Sequence, residues 1–249
     1  MFRFLAATAL ALLTTLPCAA TPCEQRTFEG SGFTVCTFDA RRDELRLVWT
    51  GTNGKALRGF DRLATELGPD RDRVLFAMNA GMFEEDGKPL GLYVENGAVR
   101  RPLNARTGGG NFYLKPNGVF LVRRDGRVAV ETSDAVTGEP APPLTATQSG
   151  PMLVIDNGFN PNITADGPSR NIRNGVGVRD AHTAYFVISD EPVSFGRLAR
   201  LFRDELNSPN ALYFDGAISS AWIPSAQRMD VDKPLGPMVI VLARSASTQ

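Results

Sequence analysis

The sequence predicts an α+β fold: a mixed, largely antiparallel sheet with β-hairpins and two main packing helices. Three observations predict it. Short apolar segments alternate with Asn-Gly and Asp-Gly pairs through the middle of the chain. Only two segments place apolar residues at helical spacing, and each of these runs on into an apolar strand. At 249 residues and 43% hydrophobic content the chain has material for a core, and no linker-like stretch divides it. Residues 1–20 are expected to be a leader and residues 21–249 a single domain.

The N-terminus is read first. The stretch MFRFLAATALALLTTLPCAA carries Arg3, then an apolar run from Phe4 to Leu16, then small residues. This is the layout of a secretory signal peptide, with cleavage after Ala20. The run falls short of the ~20 residues a membrane span requires. The mature chain is therefore expected to be exported, periplasmic or extracellular, without a membrane span. In an oxidising compartment Cys23 and Cys36 read as a disulfide that staples the new N-terminus to the first strand, the alternative being two free thiols. The one histidine cannot build a zinc site with two oxidised cysteines. A metal, if one is used, would be hard and oxygen-bound, Ca²⁺ or Mg²⁺. The 27 basic and 27 acidic residues cancel, which argues against a general nucleic-acid binder.

The first helix is expected over Ala56–Leu67, where Leu57, Phe60, Leu63, Ala64 and Leu67 share a face and Gly68-Pro69 ends the run. The strand VLFAM follows and delivers Asn79 at its carboxyl end. Hairpins are expected at EEDGKPLGLYVENGAVR, YLKPNGVFLVRRDGRVAVET and VGVRDAHTAYFVIS, the last with His182 at a surface turn. TGGGNF (107–112) lacks the Lys-Ser/Thr of a P-loop and reads as a flexible loop with close backbone approach. The Pro-rich 137–147 stretch reads as a surface loop. The second helix is expected over Phe195–Leu206 with Ser194 as its N-cap. It lies between AYFVIS and ALYF, a crossover arrangement that predicts parallel neighbouring strands.

The strand ends give the candidate site. Asn79, Asp190 and Asp215 each follow a strand, where loops converge on ligands; each could equally be a turn former. Arg170 and Arg173, leading into a strand, could fork onto a phosphate or pair with surface acids.

NAGMF, GNFYLKPNGVF, ATQSGPMLV, IRNGVGV and NALYFDGAISS occur in one order over roughly Val74 to Val241. In that order they resemble the phosphodiester glycosidase family, bacterial branch. The family's Asn-Gly-Gly-Phe-Phe is here Asn79-Ala80-Gly81-Met82-Phe83, and its Asp-Gly-Gly-Gly-Ser is Asp215-Gly216-Ala217-Ile218-Ser219. The resemblance implies hydrolysis of a sugar-1-phosphodiester at the anomeric carbon, in an envelope glycopolymer or glycolipid. Asp215 and Asp190 would be catalytic, with Asn79, Gly81, Ser149, Arg170, Arg173, Gly216 and Ser219 on the substrate. Two other classes stay open: a non-catalytic module binding anionic glycans, and a metal-dependent phosphodiesterase cutting P–O. The partner in each case is a small or polymeric sugar phosphate.

Overall fold

The computed structural model describes residues 21–137 and 141–245. The expected leader, residues 1–20, lies outside them. In chain order the strands are β1 (Cys23–Phe28), β2 (Ser31–Asp39), β3 (Asp43–Val48), β4 (Val74–Asn79), β5 (Tyr93–Glu95) and β6 (Ala98–Arg101). They continue with β7 (Gly118–Val122), β8 (Val128–Thr132), β9 (Thr145–Ser149), β10 (Met152–Ile155), β11 (Gly158–Phe159) and β12 (Asn174–Asp180). The last are β13 (Thr183–Ser189), β14 (Asn210–Asp215), β15 (Ala221–Ile223), β16 (Arg228–Met229) and β17 (Met238–Ala243). The helices are α1 (Phe60–Glu66), α2 (Ser133–Val136) and α3 (Phe195–Arg200).

The expected largely antiparallel α+β architecture is present, but divided among three sheets. Their orders are β1-β2-β13-β12-β14-β10-β11, β16-β15-β4-β17-β3 and β6-β5-β9-β7-β8. Every pairing among named strands is antiparallel. This corrects the expected crossover. β13 and β14 do run in the same direction, but β12 lies between them and pairs with both. A strand from earlier in the chain fills the gap, so the helix between β13 and β14 spans three strands and makes no parallel neighbours.

The hairpins follow their turn residues. Asn96 and Gly97 both take positive φ between β5 and β6, the backbone a tight two-residue turn demands. Asp125-Gly126 turns β7 into β8, and Asp180 to His182 turns β12 into β13. The Pro-rich loop is shorter than expected: Thr145 to Thr147 already belong to β9, where they are buried.

Both helices sit where their apolar spacing predicts. α1 starts only at Phe60, because the backbone before it is spent elsewhere: Thr50 bridges Ala56, Leu57 N–H donates to Trp49 O, and Arg58 has φ +62°. Phe60, Leu63 and Ala64 form its buried face. α3 begins at Ser194, whose Oγ accepts from Arg197 N–H at 3.2 Å, and it runs on through a π-helical turn, Leu201–Glu205. Leu198, Ala199, Leu201 and Phe202 bury against the outer face of the seven-stranded sheet.

The inner faces of all three sheets share one core. Phe186 on β13 touches Phe76 on β4 at 5.6 Å, Phe120 on β7 at 5.4 Å and Phe214 on β14 at 6.3 Å between ring centres. One ring thus meets a partner from every sheet. Burying such a side chain contributes about 1.5–3 kcal/mol, and each favourable aromatic pair about 0.5–1.5 kcal/mol more. Cys23 and Cys36 stand opposite each other on β1 and β2 and form a disulfide, so the edge strand is covalently held to its neighbour.

Candidate active site

The site is built where the chain leaves the seven-stranded sheet at the end of β14 and enters the second sheet at β15. Residues 216–220 make that passage, over a pair of fully buried amides. Asn79 closes β4 and Asn174 opens β12. Asn174 Nδ2 lies 2.8 Å from Asn79 O and 3.0 Å from Asn79 Oδ1. Asn79 Oδ1 in turn accepts from Ser220 N–H at 2.9 Å, and Asn174 Oδ1 accepts from Asp215 N–H at 3.2 Å. The amides therefore satisfy both ends of the passage, which buried polar groups require.

Asp215 itself turns back on this loop. Its Oδ1 accepts from Gly216 N–H at 2.6 Å and Ala217 N–H at 2.7 Å. Burial pushes the carboxyl up from its ordinary range, while the N–H groups of Ala217, Gly216 and Ile218 and the charge of Lys233 pull it back down. The turn-forming reading of this aspartate is thus present in the structure. Ser219 Oγ lies 2.8 Å from Asp215 O and 2.9 Å from Ile172 O, fixing the far side of the loop.

The remaining candidates sort by position. Gly216 lies under the Tyr213 hydroxyl, which a Cβ at that position would meet at 2.1 Å. Gly81 has φ +130°, and a Cβ there would come within 2.9 Å of Thr147 Oγ1. Ser149 is fully buried, its Oγ donating to Phe214 O at 2.8 Å, and so ties the end of β9 to the end of β14. These three shape the site from behind.

The two arginines part company. Arg170 is at the surface, 2.8 Å from the carboxylate of Asp166. Arg173 is 0% exposed and forms no ion pair among the described residues. Its guanidinium lies 3.6 Å over the Phe195 ring and donates to Val193 O at 2.8 Å, Tyr213 Oη at 3.1 Å, and Ser169 O and Oγ at 3.1 Å. It reaches the site through Tyr213, whose hydroxyl burial pushes well above the ordinary phenol range. The Asn111 amide also reaches that hydroxyl, which brings the glycine-rich loop to the site.

Asp190 is held apart from Asp215. It follows β13, which β12 separates from β14, and stands two residues beyond Ile188, the β13 residue level with Asp215. Its Oδ1 accepts from Thr34 Oγ1 at 3.0 Å, with the Arg228 guanidinium 4.0 Å away. His182 stays in its hairpin turn, its N–H on Asp180 Oδ1. Among the described residues no group of three His, Cys, Asp or Glu side chains gathers as a metal site.

Asn174, Tyr213, Asn111 and Lys233 escaped the sequence reading. Tyr213 carried a signal, since strand alternation sets it on the same side as Asp215. Asn174 was visible only as a second Asn-Gly at a strand start, and Lys233 in DVDKPLG had no signal at all.

The fold sets the Asp215 carboxylate at the end of β14, where the chain passes from one sheet to the next. A profile of the family described as phosphodiester glycosidase matches residues 72–242, and the chain belongs to that family. It is a glycosidase acting on sugar phosphodiesters. An uncharacterised Escherichia coli K12 protein, YigE, is 34% identical over 213 residues, covering 85% of this chain and 83% of its own. The fold resembles the zebrafish N-acetylglucosamine-1-phosphodiester α-N-acetylglucosaminidase catalytic domain, auto-inhibited by its pro-peptide. That match has a TM-score of 0.58 at 15% identity, over 89% of this chain and 81% of that one. It also resembles a hypothetical protein of Synechocystis, with a TM-score of 0.54 at 15% identity, over 89% of this chain and 61% of that one.

Proposed function

We propose that this chain is an exported hydrolase that cleaves the glycosidic bond of a sugar-1-phosphodiester in an envelope glycopolymer or glycolipid. The observation that carries the reading is Asp215, a carboxylate destabilised by burial yet ringed by N–H donors at the mouth of the seven-stranded sheet. A phosphate monoester leaves more readily than an alkoxide, so the second carboxylate that ordinary glycosidases use as an acid matters less. The C1–O bond breaks towards the phosphate, and Asp215 stabilises the positive charge growing at the anomeric carbon. Water then bonds to C1 and its proton passes to the released phosphate. Asp190, on the far side of β12 from Asp215, is the reserve carboxylate for activating that water.

Export is supported by the leader-like N-terminal sequence and by the Cys23–Cys36 disulfide, a bond typical of oxidising compartments. The test is a hydrolysis screen of UDP-N-acetylglucosamine and related sugar-1-phosphodiesters with wild type and Asp215→Ala, run in ¹⁸O water. The label should enter the sugar, and Asp215→Ala should lose activity by at least about a hundredfold, the scale of a positioned catalytic group. Label in the phosphate, with loss on chelation, would establish a metal-dependent phosphodiesterase; binding without turnover across the panel would establish a glycan-binding module.

A further inference from the structure

We propose that Lys233 is the cation that receives the substrate's phosphate, an inference that rests on the phosphodiester reading above. A phosphodiester carries one negative charge, and its monoester takes up a second as the glycosidic bond breaks. A cation beside the leaving oxygen is therefore worth more in the transition state than in the ground state.

The two arginines expected for this task have other partners, and so has Arg228. Arg170 is held by Asp166 at 2.8 Å. Arg173 is fully buried, its fork spread over Val193, Ser169 and Tyr213. Arg228 lies 2.8 Å from Asp230.

Lys233 differs in three respects. It is exposed and forms no ion pair among the described residues; its ammonium donates to the neutral carbonyl of Ala217. That carbonyl belongs to the residue whose N–H donates to Asp215 Oδ1 at 2.7 Å, so the cation is moored on the loop that seats the carboxylate. Its charge is felt at Asp215, which places it within electrostatic reach of the reacting centre. Exchanging a carbonyl for a phosphate oxygen gives the ammonium a charged acceptor in place of a neutral one. A lysine's flexible stem and three donors suit a group that must follow a departing phosphate. The neighbouring carboxylate of Asp230 does not compete, because it accepts from Ala221 N–H and Arg228.

The experiment has two readouts. In the first, inorganic phosphate is titrated into wild type, Lys233→Gln and Lys233→Arg by calorimetry, with thermal melts run alongside. Phosphate affinity should fall about tenfold or more in Lys233→Gln, equivalent to roughly 1.4 kcal/mol, and remain near wild type in Lys233→Arg. The ratio kcat/KM on an active sugar-1-phosphodiester should fall in parallel. Equal phosphate affinity in Lys233→Gln and wild type overturns the proposal, as does a wild type that binds no phosphate. In the second, full-length wild type carries ¹³C-dimethylated lysines. The Lys233 resonance, assigned by its absence in Lys233→Arg, should move on adding phosphate while those of Lys55 and Lys88 stay put. This result does not depend on how well the Gln variant folds, and a resonance that stays put overturns the proposal. The two readings fail separately. Phosphate bound through Lys233 without hydrolysis of any sugar-1-phosphodiester removes the enzymatic reading alone. Full kcat/KM in a Lys233→Gln enzyme that does hydrolyse them removes this inference alone.

Discussion

Asp215 pulls two ways. Burial raises its folded carboxyl above the ordinary value of about 3.9, so ionising it disfavours the folded state. The penalty is absent at acid pH, where the group is protonated in both states, and grows as pH rises through and beyond the ordinary range. Asp215→Asn keeps an oxygen for the Gly216 and Ala217 N–H groups and carries no charge. It should therefore melt higher than wild type at pH ~7, with the difference closing by pH ~3, while activity is lost. Melting curves across that range check the sign; a variant that loses stability relative to wild type as pH rises would sink the argument. Arg173 is a second buried charge that desolvation disfavours, and its removal strands the acceptors it serves. Arg173→Met should lower stability by about 1–3 kcal/mol in urea titrations, the range for leaving buried neutral acceptors unpaired.

At the scale of elements, the Asn79–Asn174 pair shows why the site was only half legible in the sequence. Asn79 was found because a strand ends on it. Whether its amide faces a substrate or another amide depends on what packs opposite, and its partner lies 95 residues away. The same limit hid the place of β12. The turn residues of each hairpin, the Ser194 cap and the apolar stripes of α1 and α3 are local signals and were read correctly. Which strand fills the gap between β13 and β14 is decided by packing between distant segments. Asn174→Ala removes the bonds to Asn79 and Asp215 and leaves Asn79 buried with unmet hydrogen-bonding capacity. It should destabilise the fold by about 1–3 kcal/mol and reduce kcat on whichever sugar phosphodiester the screen identifies. Ser194→Ala removes only a cap, and should cost about 1 kcal/mol with kcat unchanged.

Across the whole molecule, the shared core makes the three sheets stand or fall together. Phe186→Ala withdraws the ring that meets Phe76, Phe120 and Phe214, and should cost about 3–5 kcal/mol in one cooperative transition. Separate transitions in calorimetry would show that the sheets melt independently. The disulfide acts on the other side of the equilibrium. It joins cysteines 13 positions apart in sequence, so reducing it should lower stability by about 3 kcal/mol.

The passage from β14 to β15 also has a consequence in time. Its anchors, Asn79 and Ser220, are 141 residues apart, and Asn174 lies between them in the chain. A chain not yet folded, or held open by a chaperone, has every residue of this junction and none of its geometry. Ser220 finds its acceptor on Asn79 only once the second sheet has docked on the first, so the passage beside Asp215 is completed last, by the finished fold.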